Sequence, residues 1–277
     1  MKHNKHLSRI SDILLNFIIN IFKISLKKLG STGAMKYEGK FYLATFKSRP
    51  NRFLAHVELL INKNSNKTKQ VVQAHVPDPG RLEDLLIPQT KIILQEKRNQ
   101  NRKTNFSLIG VLNNNIWVNI DSQLTNKLFQ AEFHKIHRLA NYHISKPEFT
   151  FGKSRFDFLM ENHITDERIL VEVKSVTLVK DGIALFPDAP TMRGKKHAEE
   201  LIKALKVFNY AIIIFVVKRS DVHAFSLNTK IDPHFAKALQ KAMDQKVEVL
   251  AVKCHYDPIK TQEIIILDEI EFINIEE

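Results

Sequence analysis

The sequence contains one cysteine, Cys254, in 277 residues. That excludes an intramolecular disulfide and any zinc site built from cysteine thiolates, and it suits a reducing, cytoplasmic compartment. Membrane-length apolar runs are missing as well. The main candidate, "LSRISDILLNFIINIFKISLKKLG", is interrupted by Asp12 and Lys23 and is short for a bilayer span. No clear small-residue cleavage site follows it, so a secretory signal is poorly supported and no integral membrane span is expected. An amphipathic interfacial or partner-docking helix fits residues 1–34 better, with Met35 as an alternative natural start. Internal repeats and low-complexity linkers are also absent. So is a helix-turn-helix signal, which favours backbone binding over a sequence-specific operator reader.

What is present is a soluble composition, 44% hydrophobic and 26% charged, long enough for one large domain or two ordinary ones. The net charge of +12 is unevenly spread. Residues 1–34 carry six Lys/Arg against one acid, and residues 35–120 carry fourteen against six. Residues 121–277 carry twenty-two against twenty-three. A basic half joined to a neutral half is the asymmetry of a module that meets an acidic polymer. A lysine-rich proteome is the plainer explanation.

Residues 35–120 have an all-β pattern. Runs at 41–46, 53–60, 70–76, 91–95, 106–112 and 116–120 are separated by Pro, Asn, Gly and Lys clusters. Five or six short strands in a basic segment predict a small β-barrel of the oligonucleotide-binding (OB) type. After Asp121 the pattern changes to α-β-β-β-α-β-α-β, a mixed α/β sheet flanked by helices. A helix is expected over "NKLFQAEFHKIHRL", strands in "RFDFLM", "ILVEVKS" and "IALF", and a buried strand in "YAIIIFVVK". The expected divisions are 1–34, an extension; 35–120, the barrel; and 121–277, the α/β domain.

The stretch "RFDFLMENHITDERILVEVKS" puts charges where charge is costly, inside two apolar strands. In a symmetric hairpin Asp157 and Glu172 oppose one another, with Cβ atoms about 5 Å apart. Lys174, two residues on, projects from the same face. Two close carboxylates raise the pKa of one or draw in a cation, and a hard divalent ion such as Mg²⁺ or Mn²⁺ suits them. Such an ion polarises a phosphodiester and activates water, with Lys174 stabilising the developing charge. The competing reading is a Glu–Lys–Asp salt network on an exposed sheet face.

Elsewhere, Arg193, Lys195, Lys196 and His197 open a helix whose N-terminus attracts phosphate. Asp188 either joins the acidic patch or caps that helix. His134 and His137 have no third ligand and are read as ordinary surface or core histidines. In the barrel, Arg49, Arg52, Arg81, Lys97, Arg98, Arg102 and Lys103 are candidate phosphate contacts. Phe53 and Phe106 are candidate base platforms, though strand phenylalanines are more often core.

The segments "HVPDPGRL", "SRFDFLM", "VEVKSVTLV", "FPDAPTMRGKKHAEEL" and "IDPHF" resemble the sugar fermentation stimulation protein family over Met35 to Cys254. The resemblance implies an OB-like domain followed by an αβββαβ domain of the PD-(D/E)xK nuclease fold. It also implies a DNA-binding protein, described as a regulator of sugar utilisation genes. On that resemblance Asp157, Glu172 and Lys174 match the motif residues, Phe156 stands where the motif has proline, and Glu148 matches an additional metal-side acid. The expected function is therefore DNA binding with a nuclease-type Mg²⁺ or Mn²⁺ site, duplex DNA being favoured over single strands or RNA. Active phosphodiester hydrolysis is one alternative, and a small-molecule or saccharide-binding regulator is another.

Overall fold

The computed structural model describes residues 34–63, 66–97 and 102–274. Residues 1–33, for which the amphipathic helix was expected, and Arg98 lie outside the described residues.

A first strand, β1 (Met35–Lys36), is followed by β2 (Phe41–Asn51), β3 (Leu54–Lys63), β4 (Asn66–His75), β5 (Lys91–Glu96), β6 (Phe106–Asn113) and β7 (Ile116–Asn119). All six strands expected from alternation are here. They lie in the order β4-β3-β2-β5-β6-β7, and a parallel pairing of β4 with β6 closes the sheet. That closure is the OB topology. Phe46, Val57, Leu59, Leu94, Leu108 and Val111 fill the interior. Asn114 and Asn115 both adopt positive φ in the β6–β7 turn, a conformation asparagine tolerates best among side-chain-bearing residues.

The segment between β4 and β5 is held from within. The Arg49 guanidinium donates to the carbonyls of Asp78, Gly80, Arg81 and Arg52 at 2.5 to 2.9 Å. Arg49 is thus committed to the "HVPDPGRL" loop, which corrects its expected role as a phosphate contact. The planar five-donor fork suits a cluster of carbonyls that no lysine could satisfy.

The second half contains α1 (Thr125–Glu132), β8 (Tyr142–Phe151), β9 (Ser154–Asn162), β10 (Arg168–Val176), β11 (Val179–Lys180), β12 (Ile183–Phe186), α2 (Met192–Ala204), β13 (Tyr210–Val217), β14 (Ala224–Leu227), α3 (Pro233–Asp244), β15 (Glu248–Asp257) and β16 (Glu263–Phe272). The sheet order is β11-β12-β14-β16-β15-β13-β10-β9-β8, with β1 added against β16. The mixed α/β expectation holds, and three strands enlarge it. β8 looked like a loop because it carries Pro147, a positive φ at Glu148 and a register shift near Ile144. β14 has only four residues, and the charged alternation of β16 concealed its pairing with β15.

The first helix is shorter than expected. Helix α1 ends at Glu132, and 3-10 turns follow over Phe133–Lys135 and His137–Leu139, with Ile136 extended between them. That break sends Ile136 and Leu139 into the core, and Glu269 accepts the His137 N–H at 3.0 Å. Tertiary burial overrides local helix propensity here.

The sheet is buried on both faces, which accounts for the unbroken apolar run of β13. Helices α2 and α3 cover one face over Phe156, Leu170, Phe215 and Phe225. Helix α1 covers the other with Leu128 and Phe129, joined by Ile93 and Ile109 from the barrel. A Cβ on Gly110 would come within 2.9 Å of the Tyr256 ring, so the missing side chain is what lets β6 approach β15. Caps fix the helices: Thr191 accepts the Gly194 N–H at 3.0 Å, and Asp232 accepts the Phe235 N–H at 2.9 Å. The second Asp232 oxygen takes the Thr191 N–H at 2.7 Å and ties the two helix starts together.

Candidate functional site

Strands β9 and β10 pair from Arg168↔Glu161 to Val171↔Phe158, and the ladder stops there. The next opposed residues in that register are Asp157 and Glu172, as a symmetric hairpin requires. The alternation of β9 breaks at this point: Phe156 and Phe158, two apart, pack in the cores on opposite faces. The Asp157 carboxylate turns in against β10. Its Oδ2 accepts the Val173 N–H at 2.8 Å, and its Oδ1 accepts Asn126 Nδ2 of α1 at 2.6 Å.

Glu172 and Lys174 share a face, with Lys174 Nζ 2.5 Å from Glu172 Oε1. Val171 and Val173 point the other way into apolar packing. The same Oε1 receives His197 Nδ1 at 2.6 Å, both side chains being 3% exposed. Glu172 Oε2 is buried without a hydrogen-bond partner. Burial raises the Glu172 pKa, but the His197 hydrogen bond and the Lys174 charge outweigh it and leave the carboxyl below its ordinary value. Asp157 is shifted the opposite way, first by burial and then by the Glu172 charge, against the opposing pull of Val173, Asn126 and Lys174. One acid is held ionised while its neighbour resists ionisation.

The remaining expected residues divide. Glu148 stands opposite Asp157 in the β8–β9 register, but its side chain is 69% exposed and lies 3.7 Å from Arg155. His197, expected on the surface as a phosphate contact, is buried against Glu172, which corrects that assignment. Its place four residues before Leu201 and seven before Ala204 puts it on the apolar face of α2. Arg193 reaches back to His197 Nε2 at 3.4 Å, and Lys196 bonds the Lys153 carbonyl at 2.5 Å. Asp188 neither joins the acids nor caps α2. It accepts the Arg81 N–H at 3.0 Å, and a Cβ on Gly80 would collide with it. Arg52, Arg81 and Lys103 are exposed, whereas Lys97 and Arg102 are half-buried around a barrel cleft. Phe106 packs edge-on against Tyr42, while Phe53 is 54% exposed.

The model of the sugar fermentation stimulation protein RE domain matches residues 120–260, and that of the SfsA N-terminal OB domain matches residues 48–120. The chain belongs to the sugar fermentation stimulation protein (SfsA) family. A homolog from Clostridium acetobutylicum is 40% identical over 225 residues, covering 80% of this chain and 94% of the relative. One from Clostridium kluyveri is 41% identical over 232 residues, covering 82% and 95%. The structure of Pyrococcus furiosus SfsA in complex with Ca²⁺ superposes with a TM-score of 0.76 at 29% identity, covering 88% of this chain and all of that one.

In this SfsA chain, no three His, Cys, Asp or Glu side chains among the described residues form a ready metal cage. Of the two acids, Asp157 has both oxygens hydrogen-bonded, and Glu172 keeps one buried oxygen, Oε2, without a partner. Two residues that matter were not anticipated. Asn126 orients Asp157, and its sole sequence signal is a polar side chain at a helix start. Lys218 is fully buried, donating to Asn119 Oδ1 at 3.2 Å and to the Asp121 carbonyl. It is the last residue of the buried run "YAIIIFVVK", and no local pattern names its partners.

Proposed function

We propose that this SfsA protein binds DNA and that Asp157, Glu172 and Lys174 form a divalent-metal site of the phosphodiesterase type. The supporting observation is the Glu172 Oε2 atom, buried and unbonded, beside a second carboxylate that burial and repulsion make reluctant to ionise. A cation held by these two acids would relieve both conditions. The Ca²⁺ bound by the Pyrococcus furiosus relative, a hard ion with oxygen ligands, supports the same reading. Mg²⁺ or Mn²⁺ held there supplies Lewis acidity and a more acidic bound water. His197 keeps Glu172 ionised and holds its Oε1, leaving Oε2 unbonded. Asn126 and the Val173 N–H hold Asp157 in place. Lys174 supplies positive charge where a phosphate oxygen becomes more anionic.

One observation favours a second reading. Lys174 is bonded to Glu172 itself, as in a structural salt network, and that arrangement permits DNA binding without cleavage. Calorimetric titration with Mn²⁺, paired with an oligonucleotide degradation assay, separates these readings. Saturable Mn²⁺ binding lost in Glu172→Gln, with metal-dependent cleavage, supports the enzyme. Binding without cleavage supports the second reading, and absence of saturable binding overturns the metal site.

A further inference from the structure

The acids leave a larger feature unused. A cleft of about 710 Å³ opens on the barrel between the β2–β3 turn and residues 97 and 102–104. Asn51, Phe53 and Leu54 form one wall, Lys97, Arg102 and Lys103 the other, and Asp121 and Gln123 line the side toward α1. The two chain segments correspond to the loops through which OB barrels take oligonucleotides or oligosaccharides. Here the charge discriminates between those ligands. Three cations on one wall suit phosphate and offer a neutral sugar little.

The Phe53 ring lies nearly parallel to the His75 imidazole, 14° between planes and 6.5 Å between centroids, and remains half exposed. A phenyl ring held this way at a cleft wall is a stacking surface. Base-paired nucleotides hide their faces within the helix, so only an unpaired base can use it. Burial lowers the Lys97 pKa, and the nearby positive charges of Arg102 and Lys127 lower it further despite Asp121.

The residue that closes one side of the cleft lies just before the helix that holds Asp157. Gln123 lines the cleft, and three residues later Asn126 bonds Asp157 Oδ1 at 2.6 Å. Lys127 follows, close enough to influence Lys97.

We propose that the cleft seats an unpaired nucleobase of a single strand on Phe53. Its flanking phosphates meet Lys97, Arg102 and Lys103, and the same strand continues along the start of α1 toward Asp157 and Glu172. This rests on the nucleic-acid reading above and replaces the expectation of duplex DNA with that of single-stranded segments.

The test is fluorescence anisotropy in EDTA, which removes cleavage from the measurement. The ligands are a labelled twelve-nucleotide oligo-dT, its abasic counterpart and a twelve-base-pair duplex. Oligo-dT should bind the wild-type protein about tenfold more tightly than the abasic strand and more tightly than the duplex. Phe53→Ala should remove most of that preference, while Phe53→Trp retains it. Lys97→Ala with Lys103→Ala should reduce the slope of log affinity against log salt by about 1.4, at about 0.7 per phosphate contact on a single strand. Equal binding of oligo-dT and abasic strand by wild-type protein overturns the inference, and this comparison requires no variant to fold. Tight duplex binding unaffected by Phe53→Ala overturns it while leaving the nucleic-acid reading standing. Failure to bind any of the three at low salt overturns both.

Discussion

His197 Nδ1 lies 2.6 Å from Glu172 Oε1, with both side chains sealed from solvent. A histidine from a helix thus sets the state of a strand carboxylate. His197→Ala should lower unfolding free energy by about 1.5–3 kcal/mol, the usual value of a hydrogen bond to a charged group. Because the folded pKa of Glu172 is depressed, its contribution is full above the unfolded carboxyl value. It is lost as pH falls through the folded value. Urea unfolding at pH 7 and in acid should therefore show the gap between wild type and variant closing at low pH.

Asp157 has the opposite sign. Its folded pKa is raised, so ionisation above the unfolded value destabilises the native state, increasingly as pH rises toward the folded value. Asp157→Asn removes that penalty but leaves one acceptor for two donors, Val173 N–H and Asn126 Nδ2, so its stability relative to wild type should improve as pH rises from strong acid to neutral. Mn²⁺ at a hundred times its Kd should stabilise wild type by about 2.7 kcal/mol and leave the variant unchanged. Differential scanning calorimetry with and without EDTA reads both effects.

Arg49 and Arg81 are two basic residues of the same barrel with different duties. Arg49→Ala strips four carbonyls of their donor and should cost about 1–3 kcal/mol of stability. Arg81→Ala removes an exposed side chain and should stay within about 0.5 kcal/mol while weakening DNA binding at low salt. Chemical denaturation and anisotropy on the two variants check the contrast.

Lys218→Ala should be among the most damaging single changes in the chain. It removes a fully buried amine bonded to Asn119 Oδ1 and the Asp121 carbonyl and leaves a cavity, at a cost of about 2–4 kcal/mol. Equilibrium unfolding measures it; a loss below 1 kcal/mol would mean that the buried charges are otherwise compensated.

The barrel was legible because its strands alternate and its turns carry Asn, Gly and Pro. The Asp157–Glu172 register could be read for a similar reason, since hairpin geometry makes two positions opposite by counting alone. Three kinds of feature were not legible. Strand β8 was hidden by Pro147 and the kink at Glu148, which imitate a loop. The break at Ile136 answers to tertiary burial, which no local pattern contains. The roles of Arg49 and His197 depend on partners 29 to 32 and 25 residues away, and both read as candidate phosphate contacts. A basic side chain is written the same way whether it meets a phosphate or a backbone carbonyl.

Ile93 and Ile109 belong by sequence to the barrel, yet they pack within the core of the larger sheet, where Gly110 lets the two backbones draw close. The two halves therefore share one interior. A polymer lying across both would meet a calliper of fixed span, so any spacing between where it is gripped and where it is acted upon belongs to the protein and is independent of the polymer's length.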